Sequence, residues 1–260
     1  MIRTKGTGRT LDFLSLNTVA VGEAMVELAP VATDQYRRGF AGDRFNTAWP
    51  MAQVLQWRAR VGFATGVGSD PISDAFVAEL TADGLDVSAI GRDPVRSMGL
   101  YMIEMNGVER SFHFWRDTST AKGLASDPGV LSRAFAGAGL IHLSGITLAI
   151  LSPADRVTLF AARAEARENG ARVSAKLPSR MGQDQFRYCP TITSRPCRHQ
   201  RFRASVIPPG QAMGSTQGIC RPDCLGQAPE NAVAVAPGFS GDVIRHPGAR
   251  LPKALVPSLA

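Results

Sequence analysis

Three groups of side chains in this sequence have types and spacings that can do chemistry. The first lies in GFAGDRFNTAWPMAQVLQW, Gly39 to Trp57, where a glycine-bearing turn opens into a helical pattern with Ala48, Met51, Ala52 and Leu55 on one face. Gly42 lets the backbone come close to a ligand, and the helix start beyond it favours anionic or hydroxyl-rich groups. An ordinary strand-to-helix turn accounts for the same pattern. Pro50 is expected in the first turn of that helix, where its missing N–H costs little. The second group lies in GLYMIEMNGVERSFHFWR, Gly99 to Arg116. Asn106-Gly107 between two β-rich runs is a strong hairpin signal. With those two residues as the turn, Met105 pairs with Val108, Ile103 with Arg110 and Tyr101 with Phe112. Alternation then puts Tyr101, Phe112, Phe114 and Arg116 on one face, and His113 and Trp115 on the other. That face suits simple packing. It also suits a carboxylate, because the planar fork of an arginine binds one through two hydrogen bonds. The third group is Cys189, Cys197, His199, Cys220 and Cys224, whose soft atoms can ligate metal. Their spacings, C-x7-C-x-H and C-x3-C, are not those of paired C-x2-C knuckles, and no metal site is expected.

The elements that must position the first two groups follow an alternating rhythm. Val19 to Gly22 reads as a buried strand ending in glycine, and Val61 to Val67 as another. Gly68-Ser-Asp-Pro71 then starts a helix with Asp70 as cap and Pro71 in the first position, running through Phe76, Val77 and Leu80 to a stop at Gly84. Ala138 to Ser144 reads as a parallel strand in which His142 is a core histidine rather than a catalytic one. Ser152-Pro-Ala-Asp155 caps an amphipathic helix that runs to Gly170, and Ala171-Arg-Val-Ser174 begins the next strand. Strand and helix alternate around an inserted hairpin, so the expected class is α/β with a layered parallel sheet.

Composition divides the chain in two. The 260 residues carry 29 Lys and Arg against 22 Asp and Glu, a net charge of +7, and 44% are hydrophobic. Residues 1 to 174 hold 18 basic and 18 acidic residues, whereas 175 to 260 hold 11 and 4, together with all four Cys and 11 of the 17 Pro. A basic, proline-rich, aromatic-poor segment is a poor core former. Its arginines, Arg195, Arg198, Arg201 and Arg203, come with no nucleic-acid-binding motif, and no nucleic-acid partner is expected. The N-terminus has no sustained apolar region and no window is long and apolar enough for a membrane span, so a cytoplasmic protein without membrane contact is expected. A disulfide scaffold is not expected there.

Several ordered motifs resemble the ribokinase or PfkB carbohydrate kinases, and within them the 2-keto-3-deoxygluconate kinases. They are Gly22-Glu23, AGDRFNTA (Ala41 to Ala48), GSDPISD (Gly68 to Asp74), DGLDVS (Asp83 to Ser88), GLYMIE with FHFWR, and HLSGITLAIL (His142 to Leu151). The resemblance covers about Thr18 to Ser174. It implies a Rossmann-like α/β domain with a small β lid, residues 99 to 116 forming the lid hairpin, preceded by an extension over residues 1 to 17. It implies phosphorylation of a small-molecule sugar acid from ATP with Mg²⁺, and leaves a homodimer through the lid open. Carried over residue by residue, Gly42, Asp43 and Asn46 contact substrate hydroxyls, Tyr101 and Phe114 line the lid, and Arg116 binds the sugar acid's carboxylate.

Two parts of the family pattern are missing. The strand begun at Ala171 should continue into Asp-x-Asn-Tyr-Arg-Pro, and a later Gly-Ala-Gly-Asp turn should supply the catalytic base and an anion hole. Neither occurs. Gly238-Phe-Ser-Gly-Asp242 is a weak look-alike, followed by a proline that interrupts any long helix, so Asp242 is not expected to be the base and no catalytic residue is assigned. Ala175 to Gly182, encoded by the permitted codons GCG AAA CTA CCG TCC CGC ATG GGN and read one base later, gives Arg-Asn-Tyr-Arg-Pro-Ala-Trp. With that codon choice, the Asn-Tyr-Arg-Pro of the missing motif falls one base away at the place the family needs it. The leading expectation is a frameshift near Ser174 that leaves residues 175 to 260 irregular and the kinase truncated and without turnover. A non-catalytic sugar-binding remnant is the alternative.

Overall fold

The computed structural model describes residues 17–56, 59–107 and 109–176. Asp242 and the cysteine and arginine clusters of the C-terminal third lie outside the described residues, as does Val108. The main sheet has five strands: β1 (Thr18–Val21), β4 (Val61–Gly68), β5 (Ile90–Asp93), β8 (Leu140–Ser144) and β9 (Arg172–Lys176). Their order is β5-β4-β1-β8-β9, and every pairing is parallel. Every residue of β1 and β4 is buried, as an all-parallel sheet covered on both faces requires.

Helices lie on both sides. Val19 and Val21 of β1 pack with Leu131, Phe135, Ile141, Leu143 and Leu159, which come from α3 (Pro128–Phe135), β8 and α5 (Pro153–Glu168). Ala20, one residue out of phase, packs on the opposite face with Phe45, Ala48, Phe63, Phe76 and Leu80, from α1 (Phe45–Leu55), β4 and α2 (Pro71–Ala82). The two-residue period of the strand thus sorts the core into two layers. On the second face Phe45 meets Phe76 edge-on at 5.2 Å and Phe63 at 5.5 Å, geometries that aromatic pairs favour. The local stops work as their sequence signals imply. Asp70 accepts from the N–H groups of Ile72 and Ser73, Ser152 accepts from the N–H of Asp155, and Gly84 and Gly170 follow the helices with positive φ.

The second sheet has four strands rather than one hairpin. β2 (Met25–Ala32) and β3 (Gln35–Ala41) precede α1, β6 (Gly99–Asn106) and β7 (Glu109–Trp115) follow β5, and the order is β3-β2-β6-β7. β2 joins β6 in parallel and pairs β3 antiparallel, with an irregularity in the pairing between Pro30 and Ala32.

Two sequence expectations need correction. The hairpin pairs Asn106 with Glu109, Met105 with Arg110, Ile103 with Phe112 and Tyr101 with Phe114. The turn therefore begins at Gly107, which has φ 62°, while Asn106 stays in the strand. A turn at Asn106-Gly107 of the expected type needs positive φ at both residues, and only the glycine adopts it. The partners shift by two residues, which keeps every side chain on its expected face. Pro50 also sits differently. The helix starts at Phe45, where the Gly42–Asn46 loop nucleates it, and so Pro50 falls in its interior. There it deprives the Asn46 carbonyl of its usual helical donor.

Candidate sugar-binding site

Gly42, Asp43, Asn46, Tyr101, Phe114 and Arg116 all line one cavity between the two sheets. Glu23, Arg44, Ser144 and Thr147 complete its polar lining, and Met25, Phe112 and Ile146 its apolar lining. The charged residues share one topological feature. Glu23 lies between β1 and β2, Asp43 and Arg44 between β3 and α1, and Arg116 directly after β7, where the chain crosses between the sheets.

The β3–α1 loop is held by its own backbone. The Asn46 N–H donates to the Gly42 carbonyl at 2.7 Å, the Gly42 N–H donates to Asn46 Oδ1 at 3.3 Å, and Thr47 Oγ1 donates to the Asp43 carbonyl at 3.3 Å. Gly42 has a reason to be glycine apart from any ligand: a Cβ there would lie 2.2 Å from the Glu23 carbonyl oxygen. Asp43 in turn is gripped by Arg44, whose Nη2 and Nε donate to its two carboxylate oxygens at 2.8 and 3.1 Å. Arg44 is 2% exposed and also donates through Nη1 to Nε2 of His142 on β8. His142 is thus a buried, bonded histidine, as the sequence suggests.

The lid face presents an aromatic wall. The ring of Tyr101 lies 5.7 Å from that of Phe114 and 6.1 Å from that of Phe112, and the two Phe rings stack at 6.3 Å. The Tyr101 hydroxyl donates to Glu27, which faces it across the β2–β6 pair. Phe114 is 48% exposed, as a ring turned toward an open cavity is. Arg116 ends this wall with its guanidinium 6.0 Å from the centre of the Phe114 ring, and it donates to the buried carboxylate of Glu23. Burial pushes the Glu23 carboxyl above its ordinary value, with Arg116 and the Ser119 hydroxyl pulling the other way. At the floor, Ser144 caps the short helix α4 (Gly145–Ile150), and Thr147 Oγ1 donates to the Val21 carbonyl at 2.9 Å.

Chemically the cavity offers a guanidinium, a fixed carboxylate, an amide and an aromatic face. Such a lining fits a small polar molecule with hydroxyls and one anionic group. Sequence reasoning did not single out Glu23 or Arg44 as site residues. Glu23 stands beside Gly22 in a quoted motif, and Arg44 is a charged residue among the small and apolar ones of AGDRFNTA. Their partners, however, are 93 and 98 residues away in the chain.

No site for ATP or Mg²⁺ is assigned among the described residues. Among the described residues no three His, Cys, Asp or Glu side chains are grouped to hold a metal ion. The Gly-Ala-Gly-Asp turn that would hold phosphate charge occurs nowhere in the sequence.

Known proteins resemble this chain over the same region. The pattern of the pfkB family carbohydrate kinases matches residues 15–192, which is more than half of the chain and runs past Ser174. The 2-dehydro-3-deoxygluconokinase of Dickeya dadantii (strain 3937) is 35% identical over 161 residues, covering 60% of this chain and 52% of that protein. The enzyme of the same name from Escherichia coli (strain K12) is 35% identical over 164 residues, covering 62% and 53%. The chain therefore spans about half the length of the curated relatives it matches. Among solved structures, the 2-dehydro-3-deoxygluconokinase of Thermotoga maritima superimposes with a TM-score of 0.56 at 24% identity, over 64% of this chain and 52% of that one. Fructokinase with bound ATP from Xylella fastidiosa gives 0.54 at 22% identity, over 64% and 49%. At such identities the structures speak for the fold, a ribokinase-like α/β sheet with a β lid. The family match rests on sequence, and by it this chain belongs to the pfkB family of carbohydrate kinases.

Proposed function

We propose that this chain carries the sugar half of a 2-keto-3-deoxygluconate kinase site and binds that sugar acid without phosphorylating it. The observation that carries the reading is the placement of Arg116. It stands at the end of an aromatic wall, within a cavity that Asp43 and Asn46 also line. In this reading Arg116 takes the substrate carboxylate, Gly42, Asp43 and Asn46 take hydroxyls, and Tyr101 and Phe114 cover the carbon skeleton. By the family resemblance the sugar acid would be the phosphoryl acceptor, ATP the donor and Mg²⁺ its companion ion. Here the motif for base and anion hole is missing from the sequence, and those two features supply most of the barrier lowering in such a site. Asp242 does not replace them.

The kinase-like segment is read as residues 18–174 and the segment 175–260 as the same gene continued in another frame. Residue pairing in β9 continues through Leu143↔Ala175 and Ser144↔Lys176, two residues beyond that junction. Sequencing across codons 170 to 200, together with the intact mass of the expressed chain, decides the matter: a single confirmed frame ends the frameshift reading. The protein is read as cytoplasmic, and a homodimer through the lid is left open as its assembly. Among the described residues no helix is long and apolar enough to cross a membrane.

The functional test has two arms. Calorimetry of the full chain with 2-keto-3-deoxygluconate should show saturable binding, and an ADP-release assay with ATP, Mg²⁺ and the sugar acid should show no turnover. Absence of binding removes the sugar-site reading, and robust turnover removes the inactive one.

A further inference from the structure

We infer that Arg44 is a positioning residue that fixes Asp43 as an obligate acceptor, and so sets which way round a ligand lies in the cavity. The inference rests on the sugar-site reading above. An arginine that is 2% exposed is costly unless its donors are paired. Here three of its nitrogens have partners: Nε and Nη2 hold the two oxygens of Asp43 at 3.1 and 2.8 Å, and Nη1 donates to His142. A guanidinium has no acceptor, so His142 Nε2 must accept and its ring proton sits on Nδ1. His142 therefore meets the guanidinium as a neutral ring and adds no second positive charge.

The path of the side chain is built for it. The stem of Arg44 passes over Gly22, where a Cβ would stand 2.7 Å from Arg44 Cγ and 2.9 Å from its Cβ. Two consequences follow for the cavity. A carboxylate held as a fork partner only accepts hydrogen bonds, so the ligand group facing Asp43 must be a donor such as a hydroxyl. Arg44 is 2% exposed with its donors turned to Asp43 and His142, whereas Arg116, although bonded to Glu23, is 26% exposed in its side chain and is the cation open to a ligand carboxylate. Hydroxyl at Asp43 and carboxylate at Arg116 then define a single orientation.

A double-mutant cycle tests the inference in the full-length chain, with 2-keto-3-deoxygluconate as probe and a melting curve for each variant. Arg44→Gln should weaken binding at least tenfold in the wild-type background, and Arg44→Lys, lacking the fork, should recover only part of the loss. In the Asp43→Asn background Arg44→Gln should change affinity less than twofold, because its partner is already lost. Equal costs in both backgrounds overturn the proposal. A second measurement needs no ligand: the Arg44 Nε–H resonance should be protected from solvent exchange in the wild type and lose that protection in Asp43→Asn. Unchanged protection overturns the pairing, whereas failure of the wild type to bind sugar acid, with the protection intact, removes only the sugar-site reading.

Discussion

Arg116 and Gly42 show two different ways a residue can matter to this site. Arg116 depends on the shape of its head group, because a planar fork can keep one arm on Glu23 and offer the rest to the cavity. Lysine keeps the charge and loses the fork. Arg116→Lys should therefore weaken sugar-acid binding by about 10- to 100-fold in calorimetry, the worth of a charge-assisted hydrogen bond. Gly42 depends on the lack of a side chain. Gly42→Ala would press a methyl group against the Glu23 carbonyl, and that overpacking should cost about 1–3 kcal/mol, read as a drop in Tm of roughly 3–10 °C. The sequence pointed to both residues, since the glycine turn and the arginine at a strand end are local patterns. It did not show that Gly42 is required by a neighbouring backbone, nor that Glu23 and Arg44 stand behind Arg116 and Asp43. Glu23 meets Arg116 across 93 residues of chain and Arg44 meets His142 across 98, and no local spacing encodes such contacts; the Arg44–Asp43 pair joins chain neighbours, but the burial that fixes it is tertiary.

Local signals served the elements well where a cap or a stop is a short-range event. Asp70, Ser152 and Gly84 do in the structure what their side chains dictate. The loop after β5 adds another such device. Asp93 accepts from the N–H groups of Val95 and Arg96 at 2.9 and 2.8 Å and pairs with the Arg96 side chain, which lowers its carboxyl from 3.8 to about 2. A depressed carboxylate stabilises the fold above its unfolded pKa, and this contribution is lost as pH falls through the folded value. Urea unfolding between pH 4 and pH 2 should thus show a shallower loss of stability in Asp93→Asn than in the wild type; equal slopes would count against the contribution. The β2–β3 pair escaped notice for physical reasons. Pro30 lies within β2, where proline ordinarily argues against a strand, and Gln35 to Arg38 are exposed and carry no apolar alternation. The hairpin turn moved by one position, with Gly107 and not Asn106 taking positive φ. Since the partners slid by two, Tyr101, Phe114 and Arg116 kept their face, whereas a single-residue insertion within β6 or β7 would turn part of that wall outward.

At the scale of the molecule, the βαβ rhythm was legible because each strand is a short apolar run and each helix is capped. The depth of the core on each side of the sheet was not. Leu159 on α5 is fully buried against β8 and α3, so Leu159→Ala should cost about 2–5 kcal/mol in denaturant unfolding. β9 is the last strand of the described sheet. The chain crosses between the two sheets at Gly22 to Ala24, at Gly42 to Arg44, at Pro94 to Met98 and after Trp115, and the charged groups of the cavity sit in the first, second and last of these crossings. Glu23 of the first crossing is bonded to Arg116 of the last, and Arg44 of the second is bonded to His142 of the main sheet. These ion pairs and hydrogen bonds therefore act as hinge pins. A tilt of the lid would thus load the same few atoms that meet the ligand.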